Sequence, residues 1–198
     1  MKNNLIIDNF FSLYIAQSDL FFDVESIKNY CLNFAKSNVG TQKSNRYGWQ
    51  SGNHNFPNSM KYLTDTFENA GQSLFEQLEG SSKFKIKMDN IWININQLGS
   101  YNISHVHPNT FLSGVYYVQT PENCGRINFT HTCEHIEYDW KSYYFKHNSV
   151  NSFISRFLDV KENRLYIFPS WAKHSVEPNR NEIPRISLSF NLKLINNV

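Results

Sequence analysis

From residue 83 onward the apolar residues of this chain stop recurring at helical intervals. They fall instead into short runs closed by Gly, Pro or Asn: FKIKMDNIWININQL, FLSGVYYVQT, GRINFTH, RLYIFP and RISLSFNL. Runs of this length, rich in β-branched and aromatic residues, are expected to be strands. In IWINI the alternation sends Trp92 and Asn94 to one face and Ile91, Ile93 and Ile95 to the other. Upstream the period is different. Val24, Ile27, Tyr30, Cys31 and Phe34 predict a helix over 24–37, and Met60, Leu63, Phe67, Leu74, Phe75 and Leu78 predict another over 59–79. Helices followed by a succession of strands imply an α+β, mainly β chain. We expect one domain over residues 1–198: a helical N-terminal support (1–80) packed on one sheet of a β-sandwich or jelly roll (about 83–198). Alternate residues of such strands point inward, so the interior can host a site.

Composition narrows the function classes. With a net charge of +2, the chain shows no basic stripe of the kind that follows nucleic acid. Asp8 and Asn9 interrupt the apolar start, which therefore does not read as a signal peptide. No apolar run approaches the ~20 residues that span a bilayer. Cys31, Cys124 and Cys133 form an odd set without a secretory signal, which implies reduced thiols and a cytoplasmic location.

The chemistry concentrates in three segments. In SHVHPNTFLSGVYYV, His105 and His107 stand at alternate positions, so an extended backbone points both the same way, and Pro108 favours that extended geometry. On spacing alone the pair reads as two polar residues opening a strand. A third candidate ligand, His174, follows the RLYIFP run in RLYIFPSWAKHSVEP, and Arg185 and Ser187 share one face of the next run. Together these residues turn the reading toward a metal site. A rival lies in HTCEH, where His131, Cys133 and His135 are all zinc-ligand types, although a structural zinc site wants a fourth ligand. A polar loop is the plainer reading there. Tyr116 and Tyr117 read as core and pocket lining respectively, Trp171 as packing at the barrel mouth, and the stretch from Asp139 through KSYYFKHNS as an insertion loop or lid.

The order His-x-(ligand), distant His, then Arg-x-Ser resembles the 2-oxoglutarate/Fe(II)-dependent dioxygenases. HVHPNTFLSGVYYV, YIFPSWAKHSVEP and RISLSFN are similar to the 2OG-Fe(II) oxygenase family found in marine bacteria and T4-like phages. The resemblance implies a double-stranded β-helix, the cupin-like jelly roll, with Fe(II) on His105, His107 and His174. It also implies 2-oxoglutarate as cosubstrate, its C5 carboxylate on Arg185 and Ser187, with Asn94 and Tyr101 (or Asn102) touching it. Tyr117, Trp171 and Trp92 would line the pocket. The activity implied is hydroxylation of a prime substrate with release of succinate and CO2; the modest charge favours a peptide or small molecule over nucleic acid, and composition points to a cytoplasmic protein that contacts no membrane, with a homodimer the commonest assembly for such an enzyme. His107 departs from the superfamily, which usually has Asp or Glu there; Glu134, Glu137 and Asp139 are the carboxylates nearby in sequence. Two other readings stay open: a three-histidine cupin-type metal dioxygenase that uses no 2-oxoglutarate, and a non-enzymatic β-sandwich serving as a phage or interaction module.

Overall fold

A computed structural model describes residues 12–131, 133 and 155–197. The strands Ala16–Asp19 (β1), Asn45–Arg46 (β2) and Trp49–Gln50 (β3) accompany the helices Val24–Ser37 (α1) and Lys61–Gln77 (α2) in the N-terminal part. The β region follows as Phe84–Asn96 (β4), Tyr101–His105 (β5), Leu112–Gln119 (β6), Ile127–Thr130 (β7), Ser155–Leu158 (β8), Arg164–Pro169 (β9), His174–Val176 (β10) and Arg185–Asn196 (β11). All pairings are antiparallel. One sheet has the order β1-β9-β6-β11-β4-β3, and the other β2-β5-β10-β7-β8. From β4 to β11 the chain passes repeatedly between the two sheets, which is the expected double-stranded β-helix. The N-terminal part is more than a helical support, because its three short strands extend the edges of both sheets.

Both helices begin and end where the sequence predicts them, within two residues. The Asp23 carboxylate accepts from the Ser26 N–H at 3.2 Å and caps α1. A 3₁₀ turn at Asn58–Met60 leads into α2 after Pro57. Their apolar faces cover one side of the larger sheet. Ile27, Cys31, Leu63, Phe67 and Phe75 from the helices meet Ile91, Ile93 and Ile95 of β4 and Ile186, Leu188, Phe190 and Leu192 of β11. Tyr116 belongs to this layer, and a smaller cluster with Tyr117, Phe129, Tyr166 and Phe168 fills the space between the sheets.

The centre of the helix–sheet layer is close-packed. Phe67 and Phe190 stack with centroids 4.7 Å apart at 10°, and a Cβ on Gly114 would overlap the Phe190 ring. Phe190→Ala therefore leaves a void that the neighbouring strands cannot close. We expect it to lower unfolding stability by roughly 3–5 kcal/mol, measured by urea denaturation; a loss below about 1 kcal/mol would show that this layer is plastic.

Candidate metal centre

The antiparallel pairing of β5 with β10 sets His105 directly opposite His174. His107 lies just past the end of β5, where its N–H donates to the Ser170 carbonyl at 2.9 Å. That bond ties the segment after β5 to the end of β9. Ring centroids are 4.3 Å apart for His105 and His174, 5.0 Å for His105 and His107, and 5.2 Å for His107 and His174. One ligand atom from each histidine lies within 4.8 Å of the others, a spacing that could hold one metal ion; among the described residues no other such group occurs.

The rings are prepared as neutral donors. His105 Nδ1 lies 2.7 Å from the Ile103 carbonyl and His174 Nδ1 lies 2.8 Å from that of Ala172. A carbonyl can only accept, so each Nδ1 carries the proton and each Nε2 keeps its lone pair. His107 Nε2 is buried with no hydrogen-bond partner, and Trp92 stacks on that ring at 5.7 Å and 22°. Burial, with the nearby His105 adding to it, pushes His174 down to about 3 and His107 down to about 4. Burial also lowers His105. Neutral imidazoles with free lone pairs suit Fe(II), and three on one side of an ion leave positions open. The donor set fits.

A cavity opens beside the histidines, and β11 with its neighbours forms its wall in rungs. Asn96 pairs with Arg185, Asn94 with Ser187 and Tyr117, and Trp92 with Ser189 and Val115. These side chains line the cavity, with Arg185 two rungs from Trp92, on which the His107 ring stacks. Arg185 is 1% exposed. Its Nη1 donates to the carbonyls of Cys124 and Glu177, whereas Nη2 is buried without a partner. The Glu177 carboxylate is engaged by Arg126 at 2.9 Å, and no Asp or Glu is among the described residues lining the cavity. A buried guanidinium with a vacant donor and no counter-ion is costly unless an anion arrives. One cavity thus holds a buried guanidinium with a vacant donor and three neutral imidazoles that could hold a metal ion.

Other sequence-singled residues are distributed unevenly. Asn94 lines the cavity, donating to Ser189 Oγ at 3.0 Å. Tyr117 and Trp92 line it as well. Tyr101 does not; it packs near Tyr47, and Asn102 takes the cavity position. The cause is an irregularity in pairing, since His174 opposes His105 but Val176 opposes Asn102, so β5 carries an extra residue and its alternation changes phase. Trp171 is half exposed and is not part of the cavity wall, because it sits in the turn after β9, outside the sheets. His131 Nδ1 accepts from the Cys133 N–H at 2.9 Å, closing a local turn. His135, Glu134, Glu137, Asp139 and the expected insertion loop lie outside the described residues. Asn102, the alternative to Tyr101, lines the wall, and Asn96, Ser44 and Ser189 join it without having been singled out. For Asn96 and Ser189, two residues beyond Asn94 and Ser187, the alternation was the available signal.

Comparison with known proteins follows the same lines. Residues 90–191 match the model of a family described as "Putative 2OG-Fe(II) oxygenase". No protein of curated function matches in sequence. Among solved structures, the chain is similar to a Pseudomonas putida prolyl-4-hydroxylase (TM-score 0.61, 13% identity, covering 90% of this chain and 91% of that one). It is also similar to a viral collagen prolyl hydroxylase from Paramecium bursaria Chlorella virus-1 in complex with 2OG (0.58, 11%, 90% and 95%). A third is a Trichoplax adhaerens prolyl hydroxylase in complex with a hypoxia inducible factor peptide fragment (0.60, 13%, 90% and 83%). At these identities the likeness is one of fold.

The depressed histidines make acid stability a readout of the centre. A group whose folded pKa lies below its unfolded value stabilises the protein above the unfolded pKa and loses that contribution as pH falls. We expect the melting temperature of metal-free protein to fall between about pH 6.5 and 4, and to fall less steeply in His174→Gln. Equal slopes in thermal melts of the two proteins would show that His174 is not held neutral by burial.

Proposed function

The chain belongs to the 2OG-Fe(II) oxygenase family, whose model it matches over residues 90–191, and on that footing we propose that it hydroxylates a C–H bond of a second substrate. It is a dioxygenase whose cofactors are Fe(II) and 2-oxoglutarate. In this reading His105, His107 and His174 hold the iron, and Arg185 anchors the cosubstrate. The observation that carries the reading is the unpartnered Arg185 Nη2, buried in a cavity that ends on three neutral imidazoles.

Bound iron supplies oxygen activation coupled to oxidative decarboxylation of the keto acid to succinate and CO2. The protein supplies placement. Arg185 Nη2 donates to the C5 carboxylate, fixing one end of the dicarboxylate so that its keto-acid end lies toward the histidines. The Ser187 hydroxyl, on the same face of β11, donates to that carboxylate too. Burial pushes the Tyr117 hydroxyl up, so at neutral pH it stays protonated and can only help an anion by donating. Asn94 is held by Ser189 and presents its amide to the same space. Val115, Ile127 and Phe168 keep that space apolar elsewhere and limit water. The prime substrate is taken to be a peptide or small molecule, since no described feature builds a basic track.

A keto-acid-independent three-histidine dioxygenase would leave the Arg185 donor without a task. An anaerobic titration with Fe(II) and then 2-oxoglutarate separates the two. We expect stoichiometric iron, then a visible metal-to-ligand charge-transfer band on adding the keto acid. Arg185→Ala should weaken 2-oxoglutarate binding by about 100-fold or more, since the partner charge is buried, and His174→Ala should lose stoichiometric iron. Iron binding without a band would turn the assignment to the rival.

A further inference from the structure

Arg185 is held by a cradle of backbone. Its Nη1 donates to two carbonyls, those of Cys124 and Glu177, so the guanidinium does not turn freely and Nη2 is the group left without a partner. The Glu177 carbonyl is available because of an exchange just past the ends of β7 and β10. Val176 pairs with Ile127, and the ladder runs one step further, with the Glu177 N–H donating to the Arg126 carbonyl at 2.9 Å. In a regular antiparallel pair the two residues exchange both bonds, so the Arg126 N–H would return to the Glu177 carbonyl. It donates instead to the Glu177 side chain, with Oε2 at 3.0 Å. The same carboxylate accepts from Arg126 Nε at 2.9 Å and Nη2 at 3.2 Å, which keeps it against that backbone. Gly125 completes the cradle. At φ +83° it passes so close that a Cβ would meet the Glu177 carbonyl oxygen at 2.5 Å.

We propose that Glu177 is the positioning residue for Arg185: its carboxylate occupies the Arg126 N–H and so releases the Glu177 carbonyl to hold the guanidinium. The inference rests on the reading of Arg185 as the cosubstrate anchor. An anchor whose guanidinium is already held has less freedom to lose when an anion binds, and affinity rises accordingly. The Arg126 and Glu177 side chains are both partly exposed, and an ion pair of that kind contributes little to stability. Its worth here lies in geometry. Charge alone argues for the opposite effect, since an acid close to Arg185 offsets positive charge and weakens the hold on a dicarboxylate. That difference in sign separates the two roles.

The test uses the full chain loaded with Fe(II), anaerobically, titrated with 2-oxoglutarate and separately with pyruvate, a 2-oxo acid that has no remote carboxylate. The charge-transfer band reports both. In Glu177→Ala the Arg126 N–H is left to claim the carbonyl at position 177. Binding of 2-oxoglutarate should then weaken by about 3–10-fold, the cost of ordering one more long side chain, and pyruvate binding should not change. Glu177→Gln removes the charge but keeps an acceptor for the Arg126 N–H, and should bind 2-oxoglutarate at least as well as the unaltered chain. If both variants tighten binding together, Glu177 acts by charge alone and the proposal is overturned. Equal weakening for the two keto acids in Glu177→Ala is a general structural loss and overturns it too. If Glu177→Ala does not fold, Gly125→Ala carries the test, because its Cβ pushes that carbonyl away from Arg185. There 2-oxoglutarate alone should bind more weakly, and unchanged binding sinks the idea. Where Arg185→Ala loses 2-oxoglutarate but both Glu177 variants are indifferent, this inference falls alone. An unaltered chain that gives no band takes the cosubstrate reading and this inference down together.

Discussion

Strand β11 runs between β4 and β6, and its two-residue period organises both the core and the site. Ile186, Leu188, Phe190 and Leu192 point to the helices, while Arg185, Ser187 and Ser189 line the cavity and Asn191 continues their face of the strand. A slip of one residue would bury a guanidinium, two hydroxyls and an amide among apolar helix faces and turn four large side chains into the cavity. The register is therefore held by the cost of the alternative. Because β4 and β6 pair with β11 in that register, Asn94, Trp92 and Tyr117 are placed by the same constraint. The helices contribute by covering the apolar face; without them β11 would have two unlike faces and only one of them buried.

The cavity face is where the fold is least at ease. Arg185 is desolvated, lacks an acid partner, and has one nitrogen with nothing to donate to. At the other end three imidazoles stand close together, each held neutral by burial. Unsatisfied buried groups of this kind cost stability in the empty protein, on the order of 1–3 kcal/mol for an unmet donor. A ligand that satisfies both ends recovers that cost as binding energy. A metal ion and a dicarboxylate are such a pair, and each prepares the site for the other, since the carboxylate lowers the positive potential that Arg185 and the ion create together.

Much of this was legible in the sequence because the relevant signals are periodic. Ile91, Ile93 and Ile95 against Trp92 and Asn94, and Arg185 and Ser187 against Ile186 and Leu188, sort themselves by parity alone. The helices were legible for the same reason. What escaped has a common cause. Strands β1, β2, β3, β8 and β10 have two to four residues each, too few for any period to show, and they exist because neighbouring strands were available to pair with. Tyr101 was misplaced because the extra residue in β5 shifts the phase between Asn102 and His105, and an irregularity of that kind leaves no mark on composition. Trp171 was misplaced because a turn has no inward face to infer.

In the proposed ligand set, His107 takes the place where the resembling superfamily usually has a carboxylate. A carboxylate would remove one positive charge from the centre. With His107 neutral, a divalent ion and Arg185 together outweigh a bound dicarboxylate by one charge, and none of the described residues on the cavity wall supplies the missing negative one. In so secluded a space that excess is weakly screened. It should tighten the hold on anionic ligands and raise the cost of admitting a cationic group beside the metal. The same exchange replaces a ligand with several usable lone pairs by one that has a single direction, so orientation must come from elsewhere. Trp92 supplies part of it by stacking on the ring, from a strand whose register is set by the helix-facing core. The register that packs Phe190 against the helices thus also sets Trp92 against the His107 ring, two consequences of one strand pairing.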